Sequence, residues 1–88
     1  MKLLYITDED AIEAAKIAKI TENLSIKRSG NRVDQDFITI TETKKDNSTR
    51  SIRIYFNGSN TRCLDRGIEV IEYCYKIYDF LNKKGYSW

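Results

Sequence analysis

The 88-residue sequence predicts an α+β domain, a three-stranded antiparallel sheet packed against two helices in the order (β)αβββα. Three observations carry that expectation. Between residues 23 and 56, three runs alternate apolar and polar side chains with period two. Before them comes a stretch with helix start signals and an alanine stripe. After them, apolar residues recur three and four apart almost to the last residue. A chain of this length supports one core, so the domain is expected to span residues 1–88.

The elements follow in order. "MKLLYI" is a short apolar run, a strand or a lead-in. In "TDEDAIEAAKIAKI", Thr7 or Asp8 caps a helix of about residues 8–19, and Asp8, Glu9 and Asp10 suit its positive end. Ala11, Ala14, Ala15 and Ala18 let that helix sit close to whatever it covers. "NLSIK", "DFITITET" and "RSIRIYF" are the strands, separated by "SGN" and "KKDNST". Ile38, Ile40, Ile52, Ile54 and Phe56 are expected under the helices. "NGSN" is read as ending the sheet, with Asn60 or Thr61 capping the last helix. On that helix, Leu64, Ile68, Ile71, Cys74, Tyr75, Tyr78 and Leu81 fall in one arc, with Val70 and Ile77 at its edge.

Composition excludes several function classes. With 41% hydrophobic and 32% charged residues, the chain is not a disordered one. A net charge of +2 gives no global pull toward nucleic acid, so any basic site must be local. The longest apolar run, "LLYI", is too short for a membrane span or a signal peptide. An intracellular, cytoplasmic protein is therefore expected, with no membrane partner. The chain has no histidine, the commonest general base and metal ligand. Cys63 and Cys74 would lie roughly 16 Å apart on one helix, too far to bridge. They are also too few to hold a zinc ion and read as buried reduced thiols. There is no nucleophile–base pair and no glycine-rich phosphate loop. The expectation is a protein that is not an enzyme, without cofactor or metal.

Three places remain for function. Tyr73 and Phe80 stand off the expected core arc, in line with Arg66 and Lys84, and the tail adds Tyr86 and Trp88. Aromatic residues beside an arginine dominate interface energies, so Arg66, Tyr73, Phe80, Lys84 and Trp88 form a candidate partner-binding stripe or a homodimer seam. On the outer sheet face, Phe37 and Tyr55 lie beside Lys27 and Arg53, an arrangement able to stack unpaired bases. An antiparallel meander would also gather Lys27, Arg28 and Arg32 near Arg62 and Arg66 at the start of the last helix, a candidate anion site.

Two family resemblances bear on these surfaces. The α-β-β-β-α order is similar to that of double-stranded-RNA-binding domains, which implies a nucleic-acid-binding module. Where that family carries a lysine-rich motif, this chain has "NTRCLDRG". The chain also resembles small phage-encoded inhibitors of the anti-CRISPR type. It is a very small, proline-free sequence rich in lysine, isoleucine and asparagine, with the same element order and an aromatic-rich last helix. That resemblance implies a non-catalytic inhibitor or modulator of a larger host protein or nucleoprotein machine, acting in the host cytoplasm. Acidic DNA mimicry is common in that group. The slight positive charge here points instead to a protein surface or a protein–nucleic acid seam.

Overall fold

Alternation of side chains continues well past the third expected strand, and the sheet grows with it. The computed structural model describes residues 5–32, 35–57, 60–65 and 68–86, with side chains described at 5–28, 37–55, 63–65 and 70–86. Strands β1 (Leu24–Arg32), β2 (Gln35–Thr43), β3 (Thr49–Asn57) and β4 (Asn60–Asp65) form an antiparallel meander. A two-residue β5 (Ile68–Glu69) pairs with the end of β4. Two helices complete the fold, α1 (Asp8–Ile17) before the sheet and α2 (Ile71–Lys83) after it.

The α+β class and the two helices agree with the sequence reading, but the sheet has four full strands rather than three. The segment expected to open the last helix is β4. "NGSN" is a hairpin connection, with Asn57 and Asn60 in register across it. Beyond it, Cys63 faces the core and Leu64 the opposite side, the period of a strand. The two cysteines therefore do not share a helix: Cys63 is on β4 and Cys74 on α2, both free and buried.

One sheet face forms the core. Ile38, Ile40, Ile52, Ile54 and Cys63 are fully buried there, with Ile26 and Leu24 packed at the side. Phe56 has a β3 backbone, but its side chain lies outside the described residues, as do residues 1–4. Against this face sit both helices. Ala11, Ala14, Ala15 and Ala18 of the first are all buried, as a stripe of small residues allows. Cys74, Ile77 and Leu81 of the second join them.

The ends of the helices explain their lengths. The Thr7 hydroxyl accepts the Asp10 N–H at 3.1 Å and caps α1, whose first turn holds three acids against the dipole. At its C-terminal end the Ile20 N–H reaches the Ala15 carbonyl and the Lys19 N–H the Lys16 carbonyl. This is a Schellman ending, with Lys19 at φ 61° where glycine is usual. The second helix ends the same way. Tyr86 N–H bonds the Leu81 carbonyl and Gly85 N–H the Asn82 carbonyl, with Gly85 at φ 93°. In both endings the following residue turns into the core: Ile20 is buried, and so is Tyr86, 2% exposed. The tail tyrosine is thus not part of an exposed patch. Its hydroxyl donates to Asp10 Oδ2 at 2.7 Å and accepts the Thr7 N–H at 3.2 Å, tying the chain's end to the start of α1.

Two polar groups on the helix-covered face fix the edges of the sheet. Glu42, 4% exposed, accepts the Thr21 and Glu22 N–H groups at 2.8 and 3.0 Å. These backbone bonds, Glu22 first, hold its carboxyl below the usual range. Toward the β4 edge, Asp65 takes the Arg50 guanidinium on both carboxylate oxygens and the Tyr73 hydroxyl at 2.8 Å. That network joins β3, β4 and α2. Burial and then the adjacent Asp65 carboxylate push the Tyr73 phenol up, while Asp65 holds the Arg50 proton more tightly.

Candidate functional site

Because both helices cover one side of the sheet, no described helix or strand covers the other. Its described side chains come from alternate positions of four strands: Ser25 and Lys27 of β1, Phe37, Thr39, Thr41 and Thr43 of β2, Thr49, Ser51, Arg53 and Tyr55 of β3, and Leu64 of β4. None of these is a carboxylate; β5 sets Glu69 in register with Leu64 on this face, with its side chain outside the described residues. The sequence reading of this face therefore stands in its membership.

Arg53 is the best-organised cation on it. The Arg53 Nε donates to Thr39 Oγ1 at 3.3 Å, and Nη1 donates to the Tyr55 hydroxyl at 3.1 Å. The guanidinium carbon lies 5.2 Å from the centre of the Phe37 ring. Phe37 and Tyr55 are register partners with ring centroids 5.2 Å apart and planes tilted by 37°. A guanidinium held by two hydroxyls and a ring keeps its full charge and loses little freedom on binding. The other two arginines with described side chains meet acids: Arg50 meets Asp65, and Arg28 meets Asp8. Among the described residues, no carboxylate pairs with Arg53 or with Lys27. Lys27 is the register partner of Thr39, so it flanks the hydroxyl that orients Arg53.

The second expected cluster does not assemble. Arg28 is turned toward the start of α1, where its Nε donates to the Ile6 carbonyl at 3.1 Å and its Nη2 pairs with Asp8. The helix N-terminus expected beside Arg62 is not there, because that segment is β4 and α2 begins at Ile71. Arg32 and Arg62 sit on β1 and β4, with side chains outside the described residues; Arg62 is the register partner of Tyr55.

The helix stripe is also relocated. Tyr73 and Phe80 were expected off the core arc, but both are half-buried and pack against the core. Tyr73 is bound to Asp65, and Phe80 lies under the Lys84 ammonium at 5.9 Å. Lys84 Nζ also approaches Asp10 Oδ1 at 4.0 Å. Arg66 and Trp88 lie outside the described residues. The exposed apolar pair of α2 is Ile71, 61% exposed, and Tyr75, 70% exposed, one turn apart. Both were expected in the core. The helix is rotated by roughly 70° from the expected arc. Its entry and exit explain this: Val70 N–H bonds the Cys63 carbonyl and Tyr86 is buried below the last turn, which turns Cys74, Ile77 and Leu81 inward. Leu64 and Ile68, counted in that arc, are on strands.

Among the described residues, no group of three or more carboxylates and thiols is placed to hold a metal ion. No described helix is long and apolar enough to cross a membrane. Comparisons with protein-family models, with curated proteins and with solved structures found no match.

Proposed function

We propose that this chain is a small non-catalytic binding protein that attaches to a larger nucleoprotein assembly and modulates it, with the bare sheet face as its main contact surface. One observation carries the reading. The face presents Arg53, pre-oriented by neutral partners, beside Lys27 and an aromatic pair, and no described carboxylate opposes them. Proteins ordinarily neutralise an organised guanidinium with an acid of their own, as Arg28 and Arg50 do here. A cation left open on a flat face suits a partner that brings the anion.

A second, smaller surface supports a protein component in that assembly. Ile71 and Tyr75 are exposed on α2, which packs on the other face of the sheet. An exposed tyrosine beside an aliphatic residue is a favoured composition for an interface centre.

The experiment is an affinity capture with the native chain and with a Lys27→Glu/Arg53→Glu variant, each checked by thermal melting. The native chain is expected to retain an assembly whose recovery falls with salt, and the variant to retain none at equal Tm. Equal retention by both would contradict the reading.

A further inference from the structure

We infer that the occupant of the bare face is single-stranded nucleic acid, its backbone on one row of side chains and its unpaired bases on the next; this rests on the proposed use of that face. Strand register lays out the two rows. Lys27, Thr39, Arg53 and Leu64 stand opposite one another on β1 to β4, with Glu69 next in register on β5. Phe37 and Tyr55 stand together one step along β2 and β3, roughly 7 Å away for two residues of strand. Lys27 and Arg53 are separated by one intervening strand, about 10 Å. The cations Lys27 and Arg53 thus form a short line across the strands, and the rings form a parallel line beside it, with Arg62 next in register on β4.

Each row has its own chemistry. In the cationic row, among the described residues, Arg53 uses two of its five N–H bonds, on Thr39 and Tyr55, and its side chain is exposed. The remaining N–H groups are donors for phosphate oxygens, and Lys27 adds a mobile point charge. In the aromatic row, Phe37 and Tyr55 are half-buried without any helix over them, because they cover one another. What they leave open is an apolar ledge with a ring surface, on which a base can stack whatever its sequence. A duplex keeps its bases stacked internally and offers this ledge nothing. An acidic peptide offers charge for the first row and no flat partner for the second. An unpaired strand satisfies both rows at the spacing they have.

Fluorescence anisotropy with a labelled ten-nucleotide pyrimidine strand tests the inference, with the matched duplex and inorganic polyphosphate as competitors. The single strand is expected to bind at least tenfold more tightly than either competitor. Lys27→Gln should lower the slope of log K against log salt by about 0.7, the value of one single-strand phosphate contact. Phe37→Leu, which keeps the ledge apolar, should weaken binding about tenfold and leave the salt slope unchanged. Native-like melting temperatures for both variants confirm that folding is intact. Equal binding of duplex and single strand, equal binding of polyphosphate, or indifference to Phe37→Leu would each overturn the inference. Absence of nucleic-acid binding, with salt-sensitive capture of a partner still lost in the Lys27→Glu/Arg53→Glu variant, would overturn it and leave the proposed function standing. Absence of both would overturn the two together.

Discussion

Lys19 pays a cost that glycine would not. Its φ of 61° places a Cβ in the left-handed region, which disfavours a non-glycine residue by about 1–2 kcal/mol. The Schellman bonds around it and the buried Ile20 hold it there. Lys19→Gly should therefore raise stability, by about 0.5–1 kcal/mol after the greater unfolded freedom of glycine is subtracted. Urea midpoints at constant slope measure it, and a lower midpoint would contradict the strain account. Glu42 carries a different residue-scale prediction. Its carboxyl is held below the ordinary 4.5 by two backbone N–H groups. A depressed acid contributes stability that is fully present above its unfolded value. That contribution is lost as pH falls from about 4.5 through the folded value. Glu42→Gln should lower Tm at pH 7, and the gap between variant and native chain should close as the pH is brought below that range. A gap that stays constant with pH would show that the charge plays no part. Neither residue could be singled out from sequence. An αL lysine has no marker in "IAKITEN", and Glu42 is one acid among thirteen until the chain folds Thr21 and Glu22 against it.

At the scale of elements, legibility followed the strength of the local period. The three alternating runs became β1, β2 and β3, and the alanine stripe became the buried side of α1. Residues 60–69 were misread because Leu64, Ile68 and Ile71 match a helical spacing by coincidence, extending the true periodicity of α2 backward. The competing signals were present: an Asn-Gly pair, the mark of a hairpin, and then alternation through "TRCLD". Once the helix was started ten residues early, its apolar arc was averaged over the wrong members. The corrected face makes a direct prediction. Ile77→Ala should cost about 2–5 kcal/mol, as truncation of a fully buried aliphatic does. Ile71→Ala should cost under about 1 kcal/mol, as at an exposed site. Chemical denaturation of the two variants decides it, and a larger loss at Ile71 would return the helix to the orientation read from sequence. Tyr73 belongs to the costly side as well, since removing its hydroxyl leaves Asp65 one donor short.

Seen as a whole, the molecule is two-sided, and the sidedness was legible where the site was not fully so. Period-two alternation assigned Lys27, Phe37, Arg53 and Tyr55 to one face correctly, since parity along a strand needs no tertiary information. What sequence cannot supply is which cations are neutralised. Arg28 and Arg53 look alike in "SIKRS" and "SIRIY", yet one is paired with Asp8 across twenty residues and the other, among the described residues, is held by neutral groups. That difference separates an internal brace from a contact surface. It rests on long-range placement: α1 brings Asp8 to β1, while among the described side chains no acid stands on the opposite face, where β5 sets Glu69 in register with Leu64.

The central claim is that the bare sheet face, and not the helix layer, is the main contact surface. Hydroxyl-radical footprinting of the captured assembly against the free chain tests it most directly, because both surfaces carry reactive side chains. The account predicts protection at Phe37 and Tyr55 that exceeds any protection at Ile71 and Tyr75. Protection at Ile71 and Tyr75 with Phe37 and Tyr55 unchanged would contradict it.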